Sequence, residues 1–211
     1  MRKHIILLFF FMAGLIVSGI NPRNIFHWIG EALPAIIGAV ILIRTYNKFS
    51  FSMFTYIFIL FSCYLLFLGA HYTFSRVPYF DWPGSLFGYN RNNFDKFGHF
   101  FQGVIPVLIS RELFIRKEIV KGKGFVSFLA FCVAMTTAAV YELIEYIACS
   151  IADKNPVTFL GTQGYIWDSQ SDMLFALIGA LFAIWILKNP HDRSMSRVKI
   201  SPYRQDGQKQ C

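Results

Sequence analysis

The sequence predicts an all-α polytopic membrane protein, a bundle of six transmembrane helices with both termini in the cytoplasm (N-in/C-in). Three observations carry that expectation. Of 211 residues, 55% are apolar and only 15% charged, whereas a water-soluble domain is about a quarter charged. The apolar residues, 24 Phe among them, come in long runs close to the ~20 residues a helix needs to cross a bilayer. The Lys and Arg residues fall between those runs, not in one stripe, which argues against nucleic acid as a partner.

The first run, residues 5–20, follows Arg2-Lys3. It also reads as a cleaved signal peptide, with Val17-Ser18-Gly19 near its end, but it is longer than a usual signal core and five further runs follow. Those cover residues 25–43, 51–70, 95–115, 125–145 and 168–187. A loop with Pro78, Pro83, Gly84 and Gly88 separates the third from the fourth, and one with Pro156 and Gly161-Thr162-Gln163-Gly164 separates the fifth from the sixth. Both carry turn chemistry. Residues 1–187 thus read as a single transmembrane domain and 188–211 as a basic, mobile cytoplasmic tail. Trp28, Trp82 and Trp167 near one boundary, and Trp185 near the other, suit interfacial anchoring.

Alternate sides of this arrangement hold 15 and 5 of the 20 Lys and Arg residues. Basic residues are retained on the cytoplasmic side, so the richer side, with both termini, is inside. Its formal charge is +11 and that of the outer side −3, a balance that attraction to anionic headgroups explains. Cys63, Cys132, Cys149 and Cys211 form no Cys-x-x-Cys pair. No disulfide framework or thiolate metal site follows.

Charged groups in a spanning helix cost about 2.5–3.5 kcal/mol each at mid-bilayer, so their placement is informative. In the fourth span Asp95, His99 and Gln102 share a helical face, with Lys96 beside them. Glu142 and Glu145 share a face near the outer end of the fifth, and Asp168 and Asp172 open the sixth. Three helices bring acids to one level. Their repulsion must be relieved by protonation, by Lys96 or Arg91, or by a bound cation. In the functional reading Asp95, Glu142, Asp168 and Asp172 hold a divalent cation (Mg, Mn, Ca or Zn) or substrate donors, while His99 or Glu145 exchanges protons. In the structural reading Asp168 and Asp172 serve their helix N-terminus, with Ser169-x-x-Asp172 as a capping box, and His99 is an interhelical hydrogen-bond partner. Glu142 and Glu145 resist that reading, because acids at the C-terminal end of a helix oppose its dipole. His71, Tyr72 and Glu31 lie at the same level and suit either the site or the interface.

Along its full length the chain resembles the YjdF family of bacterial inner-membrane proteins. The likeness rests on Asp95-Lys96-x-x-His99, Glu142-Leu143-x-Glu145, and Gly161-Thr162-Gln163-Gly164 followed by Trp167-Asp168-x-Gln170-x-Asp172-Met173. It is more loosely similar to VanZ-like proteins, whose pattern Asp95, Lys96, His99, Glu142, Asp172 and Gly179 fit. Glu145 stands where those relatives have Gln, and Ala176 where they have Asn. The resemblance implies a shared site without an assigned activity.

Three function classes remain open. One is a membrane-embedded site, with or without catalysis, for a lipid-linked or envelope-precursor headgroup held with a divalent cation; membrane lipids are then the partners. Another is a proton- or cation-coupled transporter, disfavoured by the near-absence of ionisable residues at mid-membrane, where transport sites usually sit. The third is a structural protein whose acids only fasten helices together.

Overall fold

A computed structural model describes residues 2–81, 92–151 and 166–198, without the side chains of Cys149 and Ile151. The described residues are helical, with no strand. The long helices are α1 (Arg2–Gly19), α2 (Ile25–Thr45), α3 (Met53–Tyr72), α4 (Phe94–Arg116), α5 (Lys123–Ile151) and α6 (Asp168–Trp185). A short helix α7 (Lys188–Met195) and a 3-10 turn (Phe74–Arg76) complete them. The expected runs all became helices, each within a few residues of its anticipated ends except α5, which extends to Ile151. Pro83, Gly84, Gly88, Trp82, Arg91, Pro156, the Gly161–Gly164 stretch and residues 199–211 lie outside the described residues.

Local chemistry sets the boundaries. The Asn24 side chain accepts from the Phe26 and His27 amides at 2.9 and 3.1 Å, capping α2. Ser52 does the same for α3. Thr73, at φ 66°, stops α3, and Gly122, at φ 88°, makes the turn into α5.

By length and apolarity α1, α2, α3 and α5 can each cross a bilayer, and α6 with α7 makes a fifth candidate despite a 58° bend between them. The fourth helix is long enough, with 23 residues, but polar at both ends, and it does not qualify on composition. It is instead the centre of the molecule. Its closest neighbour is α6, α5 packs across both, and α3 joins this trio to α1 and α2. Val104, Val107, Leu108, Ala130, Ala134, Ala180 and Ala183 fill the trio's interior. The outward faces of α1 and α2, with Phe9, Ile16, Phe26 and Ile43 exposed, are apolar, as lipid contact requires.

The α4–α6 contact is backbone against backbone. A Cβ added at Gly103 would run into the carbonyl of Ala176, and one at Gly179 into the carbonyl of Phe100. Small residues at such a crossing let helices approach closely in lipid, and this crossing sets one turn of α4 against the first turns of α6. Residues 188–195 depart from the expected mobile tail: they form α7, which tucks His191 and Met195 into the bundle.

Candidate functional site

The polar residues of the first turns of α4 and α6 meet the far end of α5. Lys96 is only 6% exposed, and its Nζ lies 2.8 Å from Asp168 Oδ1 and 2.6 Å from Asp172 Oδ1. A buried ammonium needs such partners, and one cation bridging two carboxylates ties α4 to α6. Asp168, expected among a cation's ligands, lies outside the group described next, whereas Asp172 belongs to it although the same Oδ1 is held by Lys96.

His99 occupies the middle. Its Nδ1 is 2.6 Å from Gln102 Oε1, so Nδ1–H donates to that oxygen, and in the neutral ring Nε2 presents a lone pair. Around Nε2 stand three carboxylate oxygens: Asp95 Oδ1 at 3.5 Å, Glu142 Oε1 at 3.7 Å and Asp172 Oδ1 at 3.8 Å. These separations are too long for strong hydrogen bonds. Two of the acids and His99 bring one ligand atom each within 4.8 Å of one another. Carboxylate oxygens with one imidazole are donors that a divalent cation takes.

Glu142 supplies an independent sign. It is 8% exposed, and its Oε1 has no hydrogen-bond partner among the described residues. A buried, unpaired carboxylate oxygen is costly to leave unmatched, and this one is aimed at the His99 Nε2. Tyr141, the preceding residue, turns its ring edge-on to His99 at 6.2 Å. Glu145 is half-buried on the same helix and outside the ligand group. Glu31 of α2, which its level in the sequence left open to either the site or the interface, is also within electrostatic range of Asp95 and His99. His71 is elsewhere, facing the Ser18 carbonyl at 3.0 Å.

A second polar cluster lies at the other end of α4, some 20 Å away from His99 at 1.5 Å per residue. Glu112, fully buried, accepts from the Ser52 amide at 2.6 Å, Thr55 Oγ1 at 2.6 Å and Arg116 at 2.7 Å. His191 of α7 faces it at 3.2 Å through Nε2, while its Nδ1 faces Arg111 at 3.3 Å. Arg111 also pairs with Asp192 at 2.7 Å. The cluster locks α3, α4 and α7 together. Its members are scattered over 140 residues and His191 falls in the expected tail, so the one local signal the chain carries for it is Glu112-x-x-x-Arg116, a helical i,i+4 pair. Between the clusters the helices are packed with Val and Ala, without an Asp, Glu, Lys, Arg or His among the described residues.

The family of predicted membrane proteins designated DUF2238 matches residues 3–193. The chain belongs to this family. It is 39% identical over 183 residues to the inner membrane protein YjdF of Escherichia coli (strain K12), covering 87% of this chain and 88% of that protein. The match bears out the YjdF resemblance and the reading as a multi-helix membrane protein. No solved structure matches the chain.

Proposed function

We propose that this DUF2238 protein spans the bacterial inner membrane six times, with α4 and α6 also crossing, both termini in the cytoplasm, and a divalent-cation site under the outer headgroups. Asp95, His99, Asp172 and Glu142 hold the cation, and through it the site binds the oxyanion of a lipid-linked or envelope-precursor headgroup. The observation that supports this reading is the ring of three carboxylate oxygens at 3.5–3.8 Å around one imidazole nitrogen, one of them buried without a hydrogen bond among the described residues.

Charge counting supports a cation. Asp95, Glu142, Asp168 and Asp172 against Lys96 leave a formal −3 in a buried region; a divalent ion reduces it to −1. Oxygen donors with one imidazole suit Mn or Zn better than an all-oxygen calcium site. A bound cation polarises a phosphoryl or carbonyl oxygen, and in this reading Glu145, three residues along α5 from Glu142, exchanges a proton with a bound headgroup. The Val and Ala packing between the two polar clusters disfavours a proton or ion path along α4.

The test is metal analysis of the purified full-length protein, with thermal melts in chelator and in Mn, Zn, Mg or Ca salts. Wild type is expected to retain a metal or to be stabilised by one, and folded His99→Ala and Asp172→Asn variants to lose that response. Folded variants that respond like wild type, or a wild type indifferent to every ion, would leave the acids with a purely structural role. Headgroup binding is read separately, as co-purified lipid that disappears on chelation.

A further inference from the structure

The opposite end of the bundle carries a second binding feature, unrelated to the acidic site. A shallow, open recess of about 500 Å3 lies where α5 begins and α6 turns into α7. Lys123 and Lys188 line it, with Ser127 and Asn189 as further polar groups and Ile184 and Trp185 as apolar wall. No lining residue is acidic. Among the described residues neither lysine is in an ion pair, unlike Arg111 and Arg116 at the same end.

Its surroundings say which kind of ligand it suits. Trp185 is 69% exposed, and Phe125 and Phe128, on the first turns of α5 though not in the lining itself, are also exposed and stacked on each other. Aromatic rings turned outward beside lysines mark the level where headgroup meets acyl chain. A soluble anion would be matched by the lysines and left indifferent to the rings. A phospholipid engages both, its phosphate between Lys123 and Lys188 and its chains along Phe125, Phe128 and Trp185. Basic pockets between membrane helices on the cytoplasmic side hold anionic headgroups for this reason.

We propose that this recess is a binding site for an anionic glycerophospholipid of the inner leaflet, held by Lys123 and Lys188. The ligand fills the angle between α5 and α7, bracing the 58° bend.

The experiment is native mass spectrometry of the full-length protein titrated with phosphatidylglycerol or phosphatidylcholine. Wild type is expected to prefer phosphatidylglycerol, and the Lys123→Gln/Lys188→Gln double variant to bind it roughly 30-fold more weakly, about fivefold per lysine. Lys117→Gln/Lys121→Gln removes two charges from the same end without touching the recess and is expected to keep most of the preference. Equal loss in both double variants would overturn the proposal in favour of diffuse electrostatics. So would an unchanged preference in the recess variant, or inorganic phosphate that displaces the lipid at equal concentration.

Discussion

Replacing Glu142 by Gln keeps the shape of the side chain and removes one charge from the ring around His99. In wild type its Oε1, at 3.7 Å from Nε2 and without a hydrogen bond among the described residues, repels Asp95 and Asp168. In chelator, therefore, the variant is expected to melt no lower than wild type. With a divalent ion the order reverses. A wild-type protein at a hundred times its dissociation constant gains about 2.7 kcal/mol. If the lost ligand weakens binding about 100-fold, at the upper end of what perturbing a metal's ligand environment produces, the variant gains only about 0.4 kcal/mol at the same concentration. At about 2–4 °C per kcal/mol for a chain of this size, the metal-induced shifts differ by roughly 5–9 °C. Melts in detergent by intrinsic fluorescence measure this directly. Equal shifts in the two proteins, or a variant clearly less stable in chelator, would refute the assignment of Glu142 to a cation.

Other perturbations test the supports of the site. Lys96→Met leaves Asp168 and Asp172 buried against each other and is expected to lower stability by about 3–5 kcal/mol; Asp168→Asn in the same chain should restore part of it, read by the same melts. Gly179→Leu forces α6 away from the Phe100 carbonyl, costs about 1–3 kcal/mol as an overpacked contact, and should abolish the metal-induced shift while the helical circular dichroism persists. His191→Ala removes one partner of the buried Glu112 and is expected to cost about 1–3 kcal/mol, with faster hydrogen exchange over Lys188–Met195. A reporter fused after Cys211 should be active only in the cytoplasm; activity outside would reverse the assignment of both ends.

The sequence alone determined that this is a helical membrane protein, and it located the helices closely, because a bilayer demands long uninterrupted apolar runs and those are one-dimensional features. Asp95 and His99 on one face of α4 were equally legible, since a four-residue spacing on a helix needs no partner to be recognised. Which acids do what was decided only by tertiary structure. Asp168 and Asp172 are alike in sequence, each an acid near the start of α6, yet Asp168 is engaged by Lys96 while Asp172 also turns toward His99. That difference follows from the depth of the Gly103–Gly179 crossing, which no spacing within either helix encodes. The Glu112–His191 lock and the docking of α7 likewise join residues far apart in the chain. Helices are local and announce themselves in the chain; the meeting of side chains from three of them depends on how backbones pack, and that is settled by contacts between segments.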